Sequence, residues 1–477
     1  MNSRTLINSS IKLNMKTKIL NLLFIILICS NFVNAQIKRP PYEYPKDVKV
    51  VQTIKEWQDL KFGLFIHWGT YSQWGIVESW SLCPEDRPNF SVRPEGMSYN
   101  DYVKEYEKLK TTFNPVNFDP QKWADAAKYA GMKYVVFTTK HHDGFNMYDT
   151  QFTDYKITSK ECPFSSNPKA NITKEIFNTF QDEDFETGIY YSVTDWNHND
   201  FWWDYFPPAN RQINYSIKKY PEKWKSFNDF VYNQLNELTN GDYGKIIVTW
   251  FDLCNSITDE AKLDWPRMTK MLRENQPGVI MVARGARGQN ENYLTPEKEV
   301  PDNVLDHPWE TNMTMGESWS YEPGEEYKSV YELVQMLVKI VSRGGNFLLN
   351  IGPRPDGDFD PKAYDRLKGI GDWMAINSEA IYKTKPVAPF FETKLVFTKK
   401  DDSVYAFYLP EEDEKKMPAQ ISISNMLPKS GSSVYLLGYN KPLKWWKNGK
   451  GFVVEIPKNL QNNPVCDHVW TLKFIKQ

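Results

Sequence analysis

Phe62-Gly63-Leu64-Phe65-Ile66-His67 is a short apolar run that ends in a histidine. A run of this length with no polar alternation reads as a strand buried on both faces, the kind found in parallel sheets. Working outward, the same unit recurs. Strands are predicted at 133–139, 187–193, 245–251, 279–283 and 346–351. Amphipathic helices fall between or after them. Residues 121–130 place Trp123, Ala126, Ala127 and Ala130 on one face and stop at Gly131, while 221–238 opens on a proline. Further helices are predicted at 264–274, 327–342 and 361–376. At least six strands alternate with helices, and none is followed by a phosphate-binding glycine fingerprint. The expected fold is therefore an α/β, (β/α)8-like (TIM-type) barrel over 36–385 rather than a doubly wound sheet. Beyond it, short alternating segments at 394–397, 403–408, 420–423, 433–437, 452–456 and 469–474 predict a C-terminal antiparallel β-sandwich over 386–477. There Trp445-Trp446 is expected to pack rather than stack on a sugar.

Residues 1–35 read as a signal peptide. Lys12, Lys16 and Lys18 precede an apolar run at 19–28, and Val33-Asn34-Ala35 resembles a cleavage site. The run is too short to span a bilayer. Export to the periplasm or the extracellular space after cleavage near Ala35 is the expectation. Lipid attachment at Cys29 is disfavoured by the bulky Ile28 before it. The full chain has 58 basic and 60 acidic residues, and without 1–35 the balance is 54 to 60, so charge offers no footprint for nucleic acid. Cys83, Cys162, Cys254 and Cys466 are too scattered for a zinc site or a dense disulfide framework. The chain carries 17 Trp, 27 Tyr and 27 Phe, an aromatic excess that suits a core and also suits flat faces for sugar rings.

In a barrel, chemistry gathers where strands end at their C-terminal edge. Those edges here carry His67, Trp68, His141, His142, Asp143, Asp195, Trp196, Asp252, Arg284 and Asn350. The pattern contains no metal-ligand spacing and no nucleophile elbow, and what remains is carboxylate chemistry with His, Arg and Trp as substrate clamps. Paired carboxylates of this kind cleave glycosidic bonds. Asp252, closing the apolar run Val248-Thr249-Trp250-Phe251, is the candidate nucleophile. Glu297 and Glu310 are candidate acids, either of which burial against an aromatic ring would raise, and Glu310 has Trp309 beside it. Arg284 would bind a hydroxyl or keep the nucleophile ionised.

Four motifs, Lys61-Phe62-Gly63-Leu64-Phe65-Ile66-His67-Trp68-Gly69, Thr138-Thr139-Lys140-His141-His142-Asp143-Gly144-Phe145, Trp250-Phe251-Asp252 and Gly344-Gly345-Asn346-Phe347-Leu348-Leu349-Asn350-Ile351-Gly352-Pro353, resemble in order those of the α-L-fucosidases of glycoside hydrolase family 29. The resemblance covers nearly all of 45–385. It implies exo-acting, retaining hydrolysis of terminal α-L-fucosyl residues through a covalent glycosyl-enzyme, with no metal or other cofactor. By motif, His67, His141 and His142 would bind sugar hydroxyls, and Glu78 and Trp80 would contact the ring. Tyr191 and Arg284 would flank Asp252, and Trp309 would lie where a sugar stacks. The acid position differs among members. Glu297 and Glu310 lie 45 and 58 residues after Asp252, and segment 291–310 looks like the subgroup that uses the second. Leu253-Cys254 departs from the glycine usual after the nucleophile. The implied partner is a fucosylated or L-galactosylated oligosaccharide or polysaccharide, with no nucleic acid and no membrane span. Alternatives are an α-L-galactosidase on the same scaffold or a fucose-binding protein without catalysis.

Overall fold

The computed structural model describes residues 42–208, 210–252, 261–282, 284 and 288–477. The segment read as a signal peptide, with Cys29, and the stretch Leu253-Cys254-Asn255 lie outside the described residues.

Seven parallel strands form the first sheet: β1 (Phe62–Ile66), β2 (Tyr134–Lys140), β3 (Glu186–Ser192), β4 (Ile246–Asp252), β5 (Ile280–Met281), β6 (Glu310–Thr314) and β7 (Asn346–Ile351). Their spatial order is β5-β4-β3-β2-β1-β7-β6. The space between β5 and β6 is bridged by the chain from Tyr293 to Glu297, through the parallel pairs Val282 with Tyr293, Leu294 with Trp309 and Glu297 with Asn312. This stave completes the circuit of a (β/α)8-like barrel. The sequence predicts six of the seven strands, but not β6. Glu-Thr-Asn-Met-Thr has none of the apolar character of a buried strand, yet all five of its residues are buried.

Side-chain parity along the strands sets what faces the barrel interior. Tyr190 sits opposite Trp250, and Ser192 opposite Asp252, so these share one face while Tyr191 and Phe251 take the other. At the N-terminal end the staves approach closely. A Cβ on Gly63 would lie 2.5 Å from the Tyr134 ring, and one on Gly345 would lie 2.5 Å from the Trp309 ring. Only glycine lets those two rings lie flat on the neighbouring backbone.

Helices cover the outside where predicted, among them Pro120–Tyr129, Pro221–Thr239, Trp265–Asn275, Val330–Ser342 and Pro361–Asn377. The fourth starts with a capping box: Ser329 Oγ accepts from Glu332 N at 3.2 Å, and Glu332 Oε2 accepts from Ser329 N at 2.7 Å.

Antiparallel strands follow: β8 (Lys385–Glu392), β9 (Leu395–Lys400), β10 (Ser403–Tyr408), β11 (Gln420–Ile423), β12 (Val434–Leu436), β13 (Trp445–Asn448), β14 (Gly451–Glu455) and β15 (Trp470–Ile475). They form sheets ordered β12-β15-β10-β9-β8 and β11-β14-β13. Phe397, Val404, Ile421, Val454, Leu472 and Phe474 fill the core between them. Trp445 packs edge-on against Phe452, whereas Trp446 on the same edge strand is 36% exposed. The sandwich is tied to the barrel's helices by Trp373 Nε1 donating to the Val469 carbonyl at 3.0 Å and Gln335 Nε2 to that of Pro410 at 3.0 Å.

Candidate active site

The C-terminal strand edges surround a cavity of about 690 Å³, lined by His67, Glu78, Trp80, His141, His142, Tyr190, Trp250, Asp252, Arg284, Glu297, Lys298, Asn312 and Trp319 among others. At its centre, Asp252 is held from two sides. The Tyr190 hydroxyl donates to Oδ2 at 2.9 Å, and Arg284 Nη1 donates to Oδ1 at 3.2 Å. Burial, together with the adjacent Asp252 charge, pushes the Tyr190 phenol well above its ordinary value, so it remains a donor. Arg284 Nη2 reaches Glu297 Oε2 at 2.8 Å, so one guanidinium spans both carboxylates. Its Cζ lies 4.6 Å from the centre of the Trp250 ring, which floors the cavity.

Three imidazoles form the opposite wall, each fixed through Nδ1. His67 Nδ1 donates to the Asn350 side-chain oxygen at 2.7 Å, because that amide's nitrogen is committed to the Trp319 carbonyl at 2.6 Å. His142 Nδ1 donates to Ser192 Oγ at 2.7 Å, since the serine hydroxyl donates to the Thr194 carbonyl at 2.8 Å. His141 Nδ1 shares a 2.6 Å bond with Ser79 Oγ. Burial depresses all three, His67 to about 4 and the other two well below the ordinary value, so the rings are neutral. His67 and His142 therefore present bare Nε2 lone pairs, the acceptors that sugar hydroxyls need. His142 Nε2 is buried without a hydrogen-bond partner among the described residues and lies 3.9 Å from Asp252 Oδ2. Adjacent histidines on a strand would point to opposite faces, but β2 ends at Lys140, and the two rings turn in together with centres 4.0 Å apart.

Glu78 is 1% exposed, and its Oε1 accepts from Ser320 N at 3.0 Å. Burial, opposed by Lys298, raises its carboxyl to about 8. It is thus a neutral donor near pH 7. Trp80 stands edge-on to His142 with ring centres 5.3 Å apart.

Three sequence expectations are corrected. Tyr191 does not flank Asp252. Strand parity turns it outward, where its hydroxyl donates to Gln234 Oε1 at 2.8 Å and accepts from the buried Lys140 at 3.1 Å, and Tyr190 takes the expected place. Trp309 does not line the cavity; it is 1% exposed and lies against Gly345. Glu310 is also absent from the lining. It begins β6, two residues and so about 6.6 Å below Asn312, the residue level with Glu297. There its Oε2 accepts from the Tyr134 hydroxyl at 2.6 Å and its Oε1 from Trp250 Nε1 at 3.2 Å, beneath the indole that floors the cavity. Of the two candidate acids, the cavity holds Glu297. The strand-end residues Asn350, Asp195 and Asp143 are supports: Asn350 anchors His67, Asp195 accepts from Lys140 at 3.1 Å, and Asp143 from Tyr106 at 2.8 Å. Tyr190 could have been found by parity from Asp252. Trp319 and Lys298 flank a strand whose polar sequence hid it, and no local signal marks them.

Burial raises the Glu310 carboxyl from 4.5 to about 7, against the two hydrogen bonds, which lower it. A carboxyl with a raised folded-state value favours folding while protonated: that contribution is complete below about pH 4.5 and is lost as pH rises through about 7. The loss is on the order of 3 kcal/mol. The thermal stability of the parent should therefore fall as pH rises across this range relative to Glu310→Gln, whose amide does not titrate. Parallel curves would show that the buried carboxyl does not behave this way.

The sequence model of the family described as Alpha-L-fucosidase matches residues 29–379, and that of the Alpha-L-fucosidase C-terminal domain matches 389–475. The tissue α-L-fucosidase of Homo sapiens is 29% identical over 480 residues, covering 95% of this chain and 96% of that protein. The plasma α-L-fucosidase of Rattus norvegicus is 31% identical over 437 residues, covering 87% and 90%. Among solved structures, α-L-fucosidase isoenzyme 1 from Paenibacillus thiaminolyticus superposes with a TM-score of 0.75 at 29% identity, covering 90% of this chain and 100% of that one. The Thermotoga maritima α-fucosidase in complex with fucose does so with a TM-score of 0.69 at 27% identity, covering 91% and 97%.

Proposed function

Because the chain belongs to the α-L-fucosidases of glycoside hydrolase family 29, we propose that it removes terminal α-L-fucosyl residues from glycans with retention of configuration, Asp252 acting as nucleophile and Glu297 as acid and base. The single observation that carries this reading is the Arg284 guanidinium joining the two carboxylates inside one cavity. In the first step Asp252 attacks the anomeric carbon as the glycosidic C–O bond breaks, and Glu297 gives its proton to the departing oxygen. In the second, the Glu297 carboxylate takes a proton from water, whose oxygen attacks the same carbon and releases Asp252. Tyr190 and Arg284 hold Asp252 in one orientation for both displacements. The neutral histidines and protonated Glu78 would fix the ring hydroxyls. The cavity's blind inner end, floored by Trp250, suits a terminal sugar and so exo action.

The Trp319 ring, centred 5.1 Å from His67 and 6.1 Å from Phe65, supplies an apolar wall that suits the methyl group of a deoxy sugar better than a hydroxymethyl. Comparing aryl α-L-fucoside with aryl α-L-galactoside tests the substrate. Hydrolysis should favour the fucoside by about tenfold to a hundredfold in kcat/KM. Cleavage of the galactoside alone would replace this reading with an α-L-galactosidase. Export is part of the proposal and rests on the residue pattern of 12–35.

A further inference from the structure

The Trp80 side of the cavity mouth carries an arrangement that bond cleavage does not use. Trp80 separates the histidine wall from solvent, its ring edge-on to His142 and to Trp196 at 5.5 Å. Two guanidiniums lie over this one indole, Arg87 Cζ 5.3 Å and Arg211 Cζ 5.0 Å from its centre. Both residues line the cavity, together with Asn89, Phe90 and Val92.

Among the described residues only one carboxylate serves the pair. Asp86 Oδ2 accepts from Arg211 Nε at 2.6 Å and from the Arg211 backbone N at 3.0 Å. That contact is end-on: it fixes the guanidinium while its two terminal nitrogens keep no hydrogen-bond acceptor among the described residues. Arg87 is exposed and has neither an ion pair nor a side-chain hydrogen bond among the described residues. Two like charges gathered on one ring repel, and each retains a planar fork of donors shaped for an oxyanion. Glu317 and Glu322 also line the cavity, as does Lys298, whose Nζ lies 5.2 Å from the centre of the Trp319 ring. The cavity mouth is therefore of mixed charge, and among the described residues the one place where two guanidiniums share a ring is Trp80.

We propose that Arg87 and Arg211 form a subsite for an oxyanion substituent of the glycan, a sulfate ester or a carboxylate, so that the natural substrate is an anionic fucosylated glycan seated with its negative group over Trp80. This deepens the fucosidase reading and rests on it. The overall charge of the chain points the other way, but recognition is local, and the substituent would meet these guanidiniums before it meets the bulk field.

The test compares kcat/KM for three matched α-L-fucosyl oligosaccharides, neutral, sulfated and uronate-bearing, at low ionic strength, in the parent and in Arg87→Ala. The parent should favour at least one anionic substrate over the neutral one by about tenfold, and the sulfated and uronate arms identify which group is read. In Arg87→Ala that ratio should collapse toward one, and added salt should shrink it in the parent. A parent ratio near one for both anions, or an equal ratio in the variant, overturns the subsite. Failure of the parent to cleave any α-L-fucoside overturns the fucosidase reading instead. In that event equilibrium binding of the same sulfated and uronate oligosaccharides decides the subsite: affinity that falls about tenfold in Arg87→Ala supports it, and unchanged or absent affinity rejects it.

Discussion

Asp252→Gly should lose at least about 10³-fold in kcat on an aryl α-L-fucoside, with the fold intact by circular dichroism. The size of the effect follows from what the side chain would do: a carboxylate at the end of β4, oriented by Tyr190 and Arg284, that attacks the anomeric carbon. Glu297 does not replace it, being held on the far nitrogen of the same guanidinium, and Glu78 is tied to Ser320 N. The glycine leaves room for a small anion beside Arg284. Added azide should therefore restore part of the turnover and yield the β-L-fucosyl azide, the product of one displacement instead of two. An inert parent that still binds fucose would mark a sugar-binding protein. An active parent whose glycine variant keeps its rate would remove Asp252 from the mechanism.

The second large effect separates the two glutamates. Glu297→Ala should slow cleavage of fucosides with poor alcohol leaving groups by about 10²-fold or more, and that of an activated aryl fucoside far less, because only the poor leaving group needs the proton. Glu310→Gln should show no such dependence on the leaving group. Its amide can accept from Trp250 Nε1 and donate to the Tyr134 oxygen, preserving the support beneath the cavity floor. If the leaving-group dependence appears in Glu310→Gln and not in Glu297→Ala, the reading of the site is reversed.

The contrast between these residues shows what is legible in the sequence. Apolar strands flanked by amphipathic helices announce a barrel, because burial on both faces leaves no alternation to misread. Asp252, the proposed nucleophile, stands out for the same reason, as a charge that closes an apolar run. An acid beside a ring, with its proton held at higher pH, was also a sound expectation, and burial does raise Glu310 to about 7. The error is one of depth. Sequence gives the order of residues along a strand but not which layer of the barrel each reaches, and β6 begins at Glu310 rather than ending there. Tyr191 failed by a single step of parity, since its neighbour Tyr190 pairs with Trp250 and shares the inner face. Trp319, Lys298 and the arginines over Trp80 come from loops, whose meeting in space leaves no periodic trace.

The stave from Tyr293 to Glu297 joins β5 and β6 through isolated bridges, whereas Asp252 sits in a continuous ladder with β3. The two carboxylates proposed to act in catalysis are therefore subject to unequal constraint on variation. Moving the nucleophile would mean re-registering a strand and turning every side chain along it to the other face. Moving the acid asks only that a short spliced segment be re-cut, with the barrel around it left standing. A lineage built on this scaffold can keep its nucleophile fixed while its proton donor drifts from one loop position to another, and leaving-group preference can diversify without a new fold.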